Sequence, residues 1–195
     1  MVYRNDTTAI ACCLTRESSI NSFLAVVLRT NGVYHVPDML DFPAPQNTTT
    51  DLKIAIIVSQ YHAEITHPLA EGAKEAFIDA GGDVSQLLFV PASGAWELPI
   101  LASSLLVRKD VDAVLALGCI ITGETTHDQI IGHAIAQGLM QLSIQSGKPV
   151  SMGVLTCQTL EQAYARAGGD CGNKGAESMQ AALSTFTTIT QQIKP

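Results

Sequence analysis

Ile54-Ala55-Ile56-Ile57-Val58 is an unbroken apolar run in which four of the five residues are β-branched. Such a run is too short for a helix and lacks the alternation of a half-exposed strand. It is the pattern of a strand covered on both faces, which arises in parallel sheets because crossover helices cover each side. Working outward from it, the same unit recurs. A helical stretch from about Pro68 to Ala80 is ended by Gly81-Gly82, and Leu87-Leu88-Phe89-Val90 is a second strand. Trp96 to Arg108 reads as a helix and Asp112 to Leu117 as the third strand, entering a turn at Gly118-Cys119-Ile120-Ile121-Thr122-Gly123. His127 to Gln145 carries Ile130, Ile131, Ala134, Ile135, Leu139 and Leu142 at helical spacing and is closed by Gly147. Val150 to Leu155 is the fourth strand, and helices from Leu160 to Ala167 and from Lys174 to about Thr188 follow. Four alternations of strand and helix predict a four-stranded parallel sheet with right-handed crossovers and helices on both faces, a three-layer α/β domain over residues 53–195.

Composition agrees. The chain has 195 residues, 47% hydrophobic and 15% charged, which excludes wholesale disorder. A core of about 140 residues buries enough surface to need no covalent staple. Eleven basic against 18 acidic residues give a net charge of −7, which argues against a nucleic-acid or anionic-membrane surface. No apolar run approaches the roughly 18 residues of a membrane span. Five cysteines, none in a C-x-x-C pair, read as free and mostly buried thiols in a reducing, cytoplasmic setting. Residues 1–52 differ: Ser18 to Arg29 can make a short helix, and Pro37, Pro43 and Pro45 followed by Gln-Asn-Thr-Thr-Thr read as an extended linker. This segment is expected to be an arm, partly disordered or packed on a neighbour.

In an open parallel sheet, ligands bind beyond the carboxyl ends of the strands, so the residues just after each strand carry the functional reading. Strand one leads to Ser59-Gln60-Tyr61-His62, and strand two to Pro91-Ala92-Ser93-Gly94-Ala95-Trp96-Glu97. Strand three leads to Gly123-Glu124-Thr125-Thr126-His127, and strand four to Thr156-Cys157-Gln158-Thr159. Thr126-His127-Asp128-Gln129 has the form of a capping box, and a helix N-terminus suits a phosphate or carboxylate. Gly123 allows close approach, and Thr125 or Thr126 offers a hydroxyl. His127 is either a surface histidine or an acid–base group whose ionisation Asp128 and the helix dipole push in opposite directions. Glu97 is a ligand acceptor or a first-turn carboxylate, and Tyr61 a stacking platform or packing. Gly168 to Gly175 is a glycine-dense turn that supplies Lys174 near Arg166. Together these are a phosphate clamp or cations complementing helix ends. Neither a P-loop nor a G-x-G-x-x-G follows a strand.

Taken together, four segments resemble the lumazine synthase family over about Lys53 to Thr187. They are Gly94-Ala95-Trp96-Glu97-Leu98-Pro99; Leu117-Gly118 through Gly123-Glu124-Thr125-Thr126-His127; Gly153-Val154-Leu155-Thr156 with Glu161-Gln162-Ala163 and Arg166-Ala167-Gly168; and Gly172-Asn173-Lys174-Gly175. The resemblance implies a three-layer, flavodoxin-like fold and a transferase of riboflavin biosynthesis. The implied reaction condenses 5-amino-6-(D-ribitylamino)uracil with 3,4-dihydroxy-2-butanone 4-phosphate without metal or redox cofactor. By position it implies Tyr61 against the pyrimidine, Ala95 and Glu97 holding the ribityl chain, and Trp96 among the substrate-binding residues. It further implies Ile120 near the ring, Glu124 and Thr125 at the phosphate, and His127 moving protons. Met152, Arg166 and Lys174 are implied to enter from an adjacent subunit, Arg166 on the phosphate. Homopentamers, in some members closed into sixty-subunit icosahedral shells, and association with riboflavin synthase are implied as well.

The chain departs from the family's pattern in several places. Gln60-Tyr61-His62 stands where Arg-Phe-Asn is usual, and Asp128-Gln129 where an aromatic then an acid is usual. Met152 replaces a common phenylalanine, Ala92-Ser93 looks inserted, and Asp170 replaces a lysine. A second reading is a non-catalytic relative that binds a lumazine or flavin or builds a shell, for which the aromatic residue and Glu97 would suffice without His127. A third is another flavodoxin-like binder of a phosphate ligand.

Overall fold

The computed structural model describes residues 52–193. The expected arm with its expected short helix, and Cys12 and Cys13, fall outside the described residues. The central sheet has the order β2-β1-β3-β4, all pairs parallel. Its strands are β1 (Ile54–Ser59), β2 (Leu87–Ala92), β3 (Ala113–Ile121) and β4 (Val150–Cys157). Crossing between them are α1 (Ala63–Asp79), α2 (Leu98–Leu106) and α3 (His127–Ser146). After β4 come α4 (Leu160–Arg166), the short strands β5 (Ala167–Gly169) and β6 (Gly172–Asn173), and α5 (Lys174–Thr188).

All six residues of β1 are buried, and they serve two cores by parity. Ile54, Ile56 and Val58 pack with Ile65, Leu69 and Phe77 of α1 and with Met179 and Leu183 of α5. Ala55 and Ile57 pack with Leu98, Ala102 and Leu105 of α2 and with Ile135 and Leu139 of α3. Leu115 and Leu117 of β3 join the first cluster, Val114 and Ala116 the second. This double covering is what the apolar run at 54–58 predicts, and it makes the three layers. Among the described residues no helix is long and apolar enough to cross a membrane, and Cys119, Cys157 and Cys171 are free. Cys171 is exposed rather than buried, because it sits at the tip of the β5–β6 hairpin.

Four local expectations are corrected. Helix α1 begins at Ala63, not Pro68; the proline lies within the helix, and His62 rather than proline starts it. The segment read as a turn after Leu117 continues β3 to Ile121, because Gly118, Cys119, Ile120 and Ile121 pair in register with Val154, Leu155, Thr156 and Cys157. Trp96 lies in a 3-10 turn, Ala95–Glu97, and α2 proper starts at Leu98. The glycine-dense turn is an antiparallel hairpin.

That hairpin ends in a joint between α5 and α1. Asn173 caps α5, its Oδ1 accepting from Gly175 N at 2.8 Å and Ala176 N at 3.2 Å. Its Nδ2 donates to Pro68 O of α1 at 2.8 Å. A Cβ at Gly175 would overlap the Leu69 carbonyl, so the two helices approach to backbone contact there. On the opposite rim, Lys148 Nζ donates to the carbonyls of Leu106, Arg108 and Val111 at 3.1, 2.8 and 2.7 Å. It gathers carbonyls at the end of α2 and in the turn into β3, where a helix end leaves carbonyls without intrahelical partners.

Candidate active site

The parallel register delivers every β-to-α connection to one edge of the sheet, where a cleft of about 360 Å³ opens. The turn after β1 contributes Tyr61 and His62, and the segment after β2 contributes Gly94, Ala95, Trp96 and Glu97. The floor is the end of β3, Cys119 to Ile121. The far wall is Gly123, Thr125, His127, Asp128 and Ile131 from the loop and first turns of α3.

Local chemistry explains how each is held. Thr66 Oγ1 donates to Ser59 O at 2.7 Å and ties α1 back to the end of β1, presenting Tyr61 at the rim, 66% exposed. The Gln60 N–H donates to Ala92 O at 2.7 Å, binding the first loop to the second. Gly94 leaves room for the Glu97 carboxylate, since a Cβ there would meet Glu97 Oε2 at 3.2 Å. The Thr122 N–H donates to Cys157 O at 2.9 Å, fixing the third loop to the end of β4.

The α3 N-terminus differs from the capping-box expectation. Thr126 is the N-cap residue, but its side chain makes no capping bond. Instead its backbone carbonyl accepts from Gln129 N and Ile130 N, both at 3.2 Å. The acid beside the histidine is anchored from the strand end: Thr122 Oγ1 donates to Asp128 Oδ2 at 2.9 Å. Asp128 Oδ1 is enclosed with no partner among the described residues. Gly123 has no neighbour within 4 Å of a notional Cβ, so its face is open.

Seven of the eleven residues singled out from the sequence thus meet in one cleft: Tyr61, Ala95, Trp96, Glu97, Ile120, Thr125 and His127. Glu124 lies between Gly123 and Thr125 on the same loop, exposed, outside the lining. Met152, Arg166 and Lys174 are elsewhere on the same chain. Met152 is opposite Ala116, midway along the sheet on the edge strand β4, and is 42% exposed. Arg166 ends α4, where its guanidinium partly offsets the upward push of burial on the Cys157 thiol. Lys174 opens α5 and pairs with Glu177 at 2.9 Å.

Seven lining residues were not among the site residues expected from the sequence: His62, Gly94, Cys119, Ile121, Gly123, Asp128 and Ile131. Cys119 is part of β3, and its thiol is pushed up to about 12, chiefly by burial. It is inert wall rather than nucleophile. Ile131 carries an ordinary core periodicity. For His62 the sequence signal is its place at a strand end.

A parallel three-layer domain that gathers a histidine, a carboxylate and an exposed aromatic beyond its strand ends has the arrangement of an α/β enzyme scaffold. Comparison with known proteins narrows the class. The family model for 6,7-dimethyl-8-ribityllumazine synthase matches residues 51–190. The 6,7-dimethyl-8-ribityllumazine synthase of Thermus thermophilus is 44% identical over 140 residues, covering 72% of this chain and 89% of the relative. Those of Streptomyces coelicolor (42% over 147 residues, 74% and 89% covered) and Rhodopirellula baltica (40% over 152 residues, 76% and 98% covered) are similarly close. The chain belongs to the 6,7-dimethyl-8-ribityllumazine synthase family.

Proposed function

We propose that this chain is a transferase that condenses 5-amino-6-(D-ribitylamino)uracil with 3,4-dihydroxy-2-butanone 4-phosphate, giving 6,7-dimethyl-8-ribityllumazine, inorganic phosphate and two waters. The observation that carries the reading is the meeting of Tyr61, Glu97 and His127, from three separate connections, in one strand-end cleft.

The chemistry needs few groups. The pyrimidine's 5-amino nitrogen attacks the ketone and water leaves, forming an imine. A proton then leaves the adjacent carbon as phosphate departs. The enol left behind takes a proton at its terminal carbon and gives up its hydroxyl proton, becoming a methyl ketone. The ribityl-bearing nitrogen closes the ring on this new carbonyl and a second water is lost. Tyr61 provides a face for the pyrimidine. Glu97 accepts from ribityl hydroxyls, beside Ala95 and Trp96. His127 carries protons between these steps, and the Glu124–Thr125 loop holds phosphate. Much of the acceleration comes from holding two reactive partners together. Relatives 40–44% identical to this chain are named as the synthase, which favours the catalytic reading over a binder without turnover.

One chain does not complete the site, because Arg166, Lys174 and Met152 lie outside its own cleft. We place them in the cleft of an adjacent subunit, Arg166 on the phosphate. Apolar side chains left open on the outer faces of α2 and α3 support assembly: Ile100 is 66%, Met140 62% and Ile144 74% exposed. The assembly is a pentamer, and the short hairpin between α4 and α5 favours closure into a sixty-subunit shell. Mixing purified protein with both substrates and following the lumazine chromophore tests the activity. No chromophore above the uncatalysed rate refutes it. Light scattering tests the assembly: a mass equal to one chain, 20.7 kDa, refutes the shared site, and a mass of five chains refutes only the shell.

A further inference from the structure

His62 is the one non-glycine residue among the described residues whose backbone lies in the left-handed region, at φ 58° and ψ 51°. The turn requires that conformation. His62 stands three residues after β1, and its carbonyl accepts from both Ile65 N and Thr66 N at 2.9 Å, so it is the pivot from strand into α1. Glycine enters this region without penalty, and asparagine is the side-chain-bearing residue best suited to it. Histidine is admitted in this region along with asparagine and aspartate but is not required by it, and a left-handed residue beside a cleft points to a use for the side chain.

The surroundings of the ring supply one. The His62 and Tyr61 rings meet edge to face, with centroids 4.6 Å apart and planes at 70°. His62 Nδ1 lies 3.4 Å from Glu64 Oε1, and the His62 side chain is only 24% exposed, against 52% for Glu64. Two constraints thus act on one ring: the left-handed backbone sets the direction of Cα–Cβ, and Glu64 sets the ring's rotation. Tyr61, at 66% exposure, has no comparable support from within the core.

We propose that His62 is a positioning residue for the cleft's aromatic platform: pinned by its left-handed backbone and by Glu64, it holds the Tyr61 ring at the tilt against which the flat heterocycle packs. This rests on the reading of Tyr61 as the face for the pyrimidine. It adds the residue that orients that face, and with it a determinant of affinity for the heterocycle rather than for the phosphate substrate.

His62→Asn and His62→Gly keep the turn and remove the ring, while Glu64→Gln loosens the ring and leaves His62 in place. Losing an edge-to-face partner is expected to raise KM for the pyrimidine roughly 2- to 12-fold. KM for the butanone phosphate stays within about twofold, and Glu64→Gln falls in between. Wild-type KM values in both His62 variants overturn the proposal, because the turn would then explain the residue alone. Equal rises for both substrates also overturn it, as general disturbance of the cleft. A second measurement is independent of turnover, so failure of the proposed reaction is distinguishable from failure of this inference. The NMR resonance of the His62 ring Cε1 proton should move in Tyr61→Leu, as the aromatic ring current is lost. No movement overturns the proposal even if the wild-type protein is active.

Discussion

Replacing Lys148 by methionine removes one ammonium group and leaves three carbonyls facing the space it occupied. In the folded protein Lys148 Nζ is 2.7 Å from Val111 O, 2.8 Å from Arg108 O and 3.1 Å from Leu106 O. The last comes from the final residue of α2 and the other two from the turn that leads into β3. A hydrogen bond from a charged donor contributes about 1.5–3 kcal/mol when its acceptor has no substitute. Here Lys148 is half-buried, so water replaces part of what is lost, and the three bonds share one cation. The net cost is therefore set at about 2–4 kcal/mol rather than the threefold sum. Methionine keeps most of the apolar stem, which isolates the ammonium. Arginine should rescue only partly, because its donors diverge in a planar fork while the three carbonyls converge on a point. Denaturant unfolding at matched protein concentration is the assay, since assembly makes apparent stability concentration-dependent. A Lys148→Met midpoint within about 0.5 kcal/mol of wild type refutes the reasoning and shows water serving the carbonyls equally well. Full recovery in Lys148→Arg would refute the convergence argument alone.

Arg166→Ala should raise KM for the butanone phosphate about 10- to 150-fold with little change for the pyrimidine, read in steady-state kinetics. Lys174→Ala should do less, because Glu177 already neutralises Lys174 within its own chain. His127→Ala should slow turnover by about a hundredfold, at the lower end of the range for acid–base help, without abolishing it; single-turnover measurement of lumazine formation checks this. Cys119, buried and pushed up to about 12, should alkylate at pH 8 about a thousandfold more slowly than a free thiol, and at the ordinary rate in guanidinium. Mass-spectrometric peptide mapping against time separates the two.

The sheet was legible because its strands are apolar on both faces and punctuated by glycine, a pattern set by burial that needs no long-range information. Errors arose where a residue's local habit was overruled by its neighbours. Pro68 suggests a helix start, yet sits inside α1 with its carbonyl bonded by Asn173. Gly118 suggests a turn, yet pairing with Val154 carries β3 three residues beyond it. Thr126 to Gln129 spells a capping box, yet Thr122 reaches over to Asp128 and the threonine side chain caps nothing. Strand-end position identified the cleft, since the parallel register sends all four connections to one side. Position alone did not separate His62 from Gln60. What singles it out is a backbone angle and a ring contact, neither of which is written in residue type. For Met152, Arg166 and Lys174 one chain supplies locations but not partners.

The parity of β1 has a consequence for how the domain comes apart. Alternate residues of one six-residue strand belong to opposite layers, so neither layer can detach while that strand keeps its place. Loss of either layer exposes three or fewer β1 side chains but breaks the packing that holds the other half of the same backbone. The two helical layers are therefore expected to unfold as a single cooperative unit rather than as separate foldons. The amides of β1 and β3 should be the last to exchange with solvent, opening only when the whole molecule does.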